Sequence, residues 1–345
     1  MRYFNNDYNE ICHPAILQAM EKNAALQMPG YGTDALCNEA VTLIREKCSA
    51  PDAAVHFLVG GTQTNLTVIA AALRPHQGVI AAESGHICVH ETGAIEATGH
   101  KVITVPSADG KVDPDLVQKI VENQSLSMDA EHIVQPKLVY ISNPTEYGTL
   151  YNLAELKELS DLCKKLGLYL FVDGARMGYG LAAEGNDITL ADYARYTDAF
   201  YIGGTKVGAM FGEAVVIPNP SIADDFRYLM KQRGGMLAKG WLLGLQFKAL
   251  FENDLYFEIS SHADKLADKL RETLISLGYE LYLPNKTNQV FVTLPDKLLE
   301  TLGQEFTYAM WGKPDESHSI VRFCTSWATS AENMDALCDA LKKLS

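Results

Sequence analysis

The chain has 345 residues, 47% of them hydrophobic and 21% charged, enough for a large core and usually for two domains. Forty-three acidic against 29 basic side chains give a formal net charge of −14, which argues against a partner recognised through a phosphate backbone. No apolar run approaches the ~20 residues that cross a bilayer, and Met1 to Asp7 lack the apolar stretch of a secretory signal, so a cytoplasmic, membrane-free protein is expected. The seven cysteines contain no CxxC pair and the nine histidines no HExxH spacing, which suits a reduced interior without a metal site.

In chain order, Asp34 is placed to cap a helix over residues 35–48, where Leu36, Ala40, Leu43 and Cys48 recur at helical spacing. Strand candidates follow at 54–59, 79–82, 102–105, 138–142, 168–172, 199–202 and 214–217. Several are continuous apolar runs, the pattern of strands buried on both faces. Helical patterns at 65–73, 91–98, 114–122 and 153–166 separate most of them, which predicts an α/β fold with a mostly parallel seven-stranded sheet between helices. After Pro218 helices dominate from 222 to about 277, with a break at Gly234-Gly235. Short strands at 280–283, 290–294 and 320–324 and a last helix over 331–344 complete the chain. The expected division is a large domain over 1–245 with an N-terminal arm and a small α+β domain over 246–345, joined by a long helix over 239–252.

The chemistry concentrates at strand ends. Lys206 closes the apolar run Phe200-Tyr201-Ile202-Gly203-Gly204-Thr205, and a lysine in such company needs to be neutralised, paired or covalently bound. Upstream, the run 168–172 ends in Asp173-Gly174-Ala175-Arg176. An amine and a carboxylate delivered by two strand ends are what pyridoxal phosphate requires: a Schiff base with its aldehyde and an acid at its pyridine nitrogen. Asp173 could equally be a helix N-cap. Val59-Gly60-Gly61-Thr62-Gln63-Thr64-Asn65 lies between a strand and a helix and could hold a phosphate on free N–H groups and hydroxyls, or be a plain glycine turn. It is neither a dinucleotide nor a Walker fingerprint, which disfavours a nucleotide-binding α/β protein. His86, in a polar loop before Glu91, could stack on a flat ring, or be an ordinary loop histidine. Asn143, at the end of a strand, could bond the cofactor's phenolic oxygen or simply start a turn. Arg322, inside the apolar strand 320–324, needs an anion: a substrate carboxylate or a structural salt bridge.

The order of these elements resembles the threonine aldolase family of fold type I pyridoxal phosphate enzymes, within the beta-eliminating lyase group. The likeness runs over nearly the whole chain through Asn6-Asp7, Tyr31-Gly32-Thr33-Asp34, the glycine turn with Asn65, His86 with Glu91, His132, Asn143, Asp173 to Arg176, Thr205-Lys206 and Val321-Arg322-Phe323. The resemblance implies that Lys206 carries the cofactor, Asp173 pairs with the pyridine nitrogen, Gly61 and Thr62 hold the phosphate, and His86 stacks on the ring. Arg176, Arg322 and Asn6 would hold the substrate carboxylate, and His132 would lie near the substrate hydroxyl. It also implies a homotetramer, with Tyr31 and a basic residue, Arg233 or Lys239, supplied by a neighbouring subunit.

Three departures stand out: Asn6 in place of serine, Thr205 in place of serine before the lysine, and Ser142-Asn143-Pro144-Thr145 in place of Glu-Asn-Thr-His. The implied reaction is retro-aldol cleavage of a β-hydroxy-α-amino acid to glycine and an aldehyde, with His86, His132 or a water they hold taking the β-hydroxyl proton. Another fold type I activity such as β-elimination, and a cofactor-binding homologue without turnover, are the competing readings. Tyr8, Trp311 and Trp327 could line an aldehyde pocket or be core residues.

Overall fold

A computed structural model describes all 345 residues. Its centre is a seven-stranded sheet of β1 (Ala54–Leu58), β2 (Gln77–Ala82), β3 (Val102–Val105), β4 (Gln135–Ser142), β5 (Tyr169–Asp173), β6 (Ala199–Gly203) and β7 (Glu213–Ile217), in the order β1-β7-β6-β5-β4-β2-β3. All pairings are parallel except those of β7, which runs against both β1 and β6. The unbroken apolar runs are explained by burial on both faces. Alternate residues divide between a core of 41 buried side chains, with Ile80, Val139, Val172 and Ile202, and one of 18, with Val79, Leu138, Tyr140, Phe171 and Tyr201.

Register brings the strand ends together. Ser142 lies opposite Asp173 at the carboxyl ends of β4 and β5. Because β7 is reversed, its first residue, Glu213, falls at that same edge, opposite Gly203 of β6 and Leu58 of β1. The carboxyl edge of an open α/β sheet is where ligands bind.

The C-terminal part carries a second, antiparallel sheet of β8 (Gln289–Pro295), β9 (Ala309–Gly312) and β10 (His318–Cys324), in the order β9-β10-β8. It has its own core of 17 buried residues, filled by the helices Leu255–Ser276 and Ala331–Leu344. Phe4 belongs to this core, and Arg2–Tyr3 pairs in parallel with Phe306–Thr307, so the N-terminal arm is laid against the C-terminal sheet.

Several elements differ from expectation. Residues 280–283 form no strand, only one bridge between Leu281 and Val292. The helix expected over 91–98 is a 3-10 turn at Glu96–Thr98, because Thr92, Gly93 and Gly99 adopt positive φ and break the helical path. The helix after the glycine turn starts earlier than expected, at Gly61. Sequence periodicity passed over Pro14–Asn23, Leu190–Tyr196 and Asp296–Leu302, although Thr189 and Asp192 form a capping box that marks the second of these. Asp34 caps Ala35–Lys47 as expected, accepting from the Cys37 amide at 2.9 Å. No helix is long and apolar enough to cross a membrane.

Candidate active site

A cavity of about 330 Å³ opens at the carboxyl edge of the large sheet, and its lining includes Gly61, Thr62, His86, Glu146, Asp173, Arg176, Thr205, Lys206 and Glu213. Lys206 and Asp173, from two different strand ends, therefore face one space. The Lys206 amine has neither a hydrogen bond nor an ion pair; only its backbone carbonyl is engaged, by Tyr179 Oη at 2.6 Å. Burial and the nearby Arg176 charge hold the amine below the usual lysine range, against the pull of Asp7, Asp173 and Glu213.

Asp173 is 4% exposed and accepts four hydrogen bonds. Tyr140 Oη (2.6 Å) and Asn65 Nδ2 (3.0 Å) donate to Oδ2, and Tyr201 Oη and the Ala175 amide (3.0 Å) to Oδ1. Burial raises its pKa, but the His86 charge and the bonds from Tyr140 and Tyr201 outweigh it, so the carboxyl sits below its usual range. Gly174 follows because no side chain fits there: a Cβ would overlap the Tyr201 carbonyl and the Met177 side chain. The Asp-Gly-Ala-Arg element is thus a packing requirement as well as a chemical one.

The Gly61–Ala72 helix begins at the cavity without a side-chain cap, so its first N–H groups are left for another acceptor. A Cβ at Gly60 would meet nothing within 4 Å, and Thr62 is exposed beside it. His86 lines the cavity with Nδ1 held 2.8 Å from Glu91 Oε1, and the buried Glu91 also accepts from Asn65 at 2.7 Å. Thr205 Oγ1 donates to Glu213 Oε1 at 2.8 Å, and the Gly204 amide donates to Glu213 Oε2 at 3.0 Å. Glu213 is 3% exposed; burial raises its pKa and those two bonds oppose the rise only partly.

Other expected residues stand elsewhere. Arg176 lines the cavity, but it is already committed to the fully buried Asp7 through two bonds of 2.7 and 2.9 Å. Its remaining N–H groups alone are left for a ligand. Asn143 does not face the cavity, because its amide donates to Tyr193 Oη (2.6 Å) and accepts from the Tyr151 amide (3.2 Å). Asn65 lies behind Asp173, bridging it to Glu91. His132 is exposed in a 3-10 turn before the amino end of β4, at the opposite edge of the sheet from the cavity, so this chain does not bring it to its own site. Asn6 accepts from the Tyr8 amide beside the cavity, and Tyr8 itself is a lining residue. Arg322 has no carboxylate partner: it bonds Gln289 Oε1 (3.0 Å) and the Asn5 carbonyl (3.2 Å), lies over Trp311, and its buried Nε is unpaired. The structural salt bridge considered for it is absent. Trp311 packs on Phe291 and Trp327 on His13. Tyr31, Arg233 and Lys239 lie outside the cavity lining; Tyr31 stays half-exposed under Lys231, and Lys239 is exposed.

Four lining or supporting groups escaped sequence reasoning: Tyr140, Tyr201, Glu146 and Glu213. The signal for three of them was present, as polar groups inside or opening otherwise apolar strands. Glu146 had none, since it sits in a turn.

Comparison with known proteins decides the family. The beta-eliminating lyase model matches residues 11–297. The chain belongs to the beta-eliminating lyase family, within its threonine aldolase group. It is 30% identical over 342 residues to the low specificity L-threonine aldolase of Pseudomonas aeruginosa, covering 97% of this chain and 95% of that one. It is 31% identical over 334 residues to that of a Pseudomonas species, covering 95% and 93%. The Leishmania major threonine aldolase structure superposes with a TM-score of 0.97 at 46% identity, over 100% of this chain and 99% of that one. A Thermus thermophilus aspartate aminotransferase shares the fold alone, with a TM-score of 0.73 at 17% identity over 99% and 91% of the chains. The architecture is the fold type I arrangement expected from the sequence.

Proposed function

We propose that the protein is a pyridoxal 5'-phosphate-dependent aldehyde-lyase that cleaves β-hydroxy-α-amino acids, such as L-threonine and L-allo-threonine, to glycine and an aldehyde. The observation that carries this is the unpartnered Lys206 amine sharing one cavity with the buried, ionised Asp173.

The residues present fit the cofactor. Lys206 offers a free amine of lowered pKa, the uncapped helix start with Gly61 and Thr62 suits a phosphate, and Asp173 suits a protonated ring nitrogen. Bound there, pyridoxal phosphate supplies an aldehyde for imine exchange and a ring that takes up the electron pair of the broken Cα–Cβ bond. The protein's share is orientation and proton handling. The remaining N–H groups of Arg176 and those of Arg322, which has no carboxylate partner, are the donors for the substrate carboxylate, and they decide which bond at Cα is aligned for cleavage. Glu91 fixes the His86 ring through Nδ1 and leaves Nε2 to exchange a proton with the substrate. Tyr140 and Tyr201 keep Asp173 ionised while water is excluded from it.

The assembly we propose is a homotetramer in the cytoplasm, in which Tyr31 and Arg233 or Lys239 complete a neighbour's site. The division into large and small domains near residue 245 belongs to the same proposal. The test is aldehyde release from both threonine diastereomers and phenylserine, with borohydride trapping and peptide mapping of the cofactor. Glycine plus aldehyde, with the pyridoxyl group on Lys206, is expected. Formation of 2-oxobutanoate and ammonia from threonine, or a label on another lysine, would reject the reading.

A further inference from the structure

Resting on the aldolase reading, we propose that Glu146 is the second group facing the substrate's β-hydroxyl, beside His86, and takes its proton through Oε2. Cleavage of a β-hydroxy-α-amino acid requires a proton acceptor at that hydroxyl. The acceptors read from the sequence were His86, His132 or a water they hold, and His132 lies at the far edge of the sheet. The wall of the cavity that carries His86 carries Glu146 instead.

The two carboxylate oxygens of Glu146 are in different situations. Oε1 is fixed by the His86 amide at 2.8 Å and Ser142 Oγ at 2.7 Å. Oε2 is buried and has no hydrogen-bond partner. A buried carboxylate oxygen left unpaired costs free energy unless a donor arrives, and this residue lines the space that Lys206 and Asp173 share. The arriving donor of fitting chemistry is an alcohol O–H on the substrate. Because the Oε1 bond goes to the backbone of His86, Glu146 and the imidazole are positioned as one unit. In the reaction the O–H bond breaks, its proton passes to Oε2, the oxygen's electron pair forms the aldehyde C=O, and the Cα–Cβ pair goes to the electron sink named above. Cα then takes its proton from solvent to give glycine, and Oε2 releases the proton it accepted to solvent before the next turnover. Burial, opposed by the Ser142 bond, raises the Glu146 pKa above that of an ordinary glutamate.

Glu146→Gln separates the two oxygens, because the amide carbonyl keeps the contacts of Oε1 while an NH₂ replaces the unpaired atom. In the holoenzyme variant, threonine cleavage should fall by about 10²–10⁴-fold in kcat. Glycine has no hydroxyl, so its binding by calorimetry and the exchange of its α-proton in D₂O should match wild type. Glu146→Asp, which withdraws the carboxyl by one methylene, should show the same split if the amide variant does not fold. Threonine cleavage at the wild-type rate, or an equal loss of glycine exchange, overturns the proposal and leaves Glu146 a loop support. Failure of the aldolase reading itself looks different: wild-type protein would exchange the glycine proton yet release no aldehyde from any β-hydroxy-α-amino acid.

Discussion

Replacing Asp7 by asparagine tests how the arginine of the Asp-Gly-Ala-Arg element is held. Asp7 is fully buried and the Arg176 side chain 12% exposed, with two bonds between them and a third to Asp7 from Asn288 at 2.9 Å. Asparagine preserves the shape and one acceptor but removes the anion, leaving a buried guanidinium without countercharge. Breaking one side of a buried pair costs about 3–5 kcal/mol. At roughly 2.1 cal/mol/K of unfolding entropy per residue, a chain of this length loses about 4–7 °C in melting temperature. Melting followed by circular dichroism at fixed protein concentration measures this, since any assembly makes the midpoint concentration-dependent. The double variant Asp7→Asn/Arg176→Gln should recover part of the loss, because the uncompensated charge is gone. An Asp7→Asn midpoint equal to wild type would refute the account of the pair as an anchor, and a double variant worse than the sum of the singles would refute its electrostatic origin.

Acid stability should follow from the same group. Folding depresses the Asp7 and Asp173 pKa values below the ordinary 3.8, through pairing and hydrogen bonds that outweigh burial, so the folded state binds fewer protons. Their contribution is complete above about pH 4 and drains away as the pH falls further, and melts from pH 5 down to pH 2.5 should show it. Glu213 acts in the opposite sense: burial raises its pKa above 4.5, so stability falls as pH rises from there, and Glu213→Gln should flatten that decline in melts at pH 5 and pH 7.5. Gly174→Ala should destabilise by about 1–3 kcal/mol or more through overpacking against the Tyr201 carbonyl, read by urea denaturation; unchanged stability would contradict the tight approach. Arg322→Ala should weaken substrate binding by about 2–5 kcal/mol with cofactor retention intact, measured as KM and by the visible spectrum; an unaltered KM would remove Arg322 from the site.

The sheet was legible because burial on both faces leaves an apolar signature that needs no partner to be read, as in residues 168–172 and 199–202. Lys206 and Asp173 were legible for the complementary reason, that charged groups closing such runs are costly without a task. What escaped depends on contacts distant in sequence. Nothing near Asn143 shows that its amide is consumed by Tyr193, fifty residues on, nor that Arg176 is bound to Asp7, 169 residues away. Glu213 reaches the site only because β7 is antiparallel, and strand direction is not written in an apolar pattern. The 91–98 segment was misjudged because residues at positive φ broke a run whose side-chain spacing was helical.

The first eight residues act as a strap. Arg2–Tyr3 pairs with Phe306–Thr307, the Cys324 amide donates to the Phe4 carbonyl, and four residues after Phe4 Tyr8 lines the cavity, with Asp7 gripping Arg176. A movement of the smaller sheet would therefore be passed to an arginine of the site through only a few residues of chain. One practical corollary concerns protein engineering: an affinity tag fused ahead of Met1 loads this strap directly, whereas one placed after Ser345 hangs from the exposed end of the last helix and leaves the grip undisturbed.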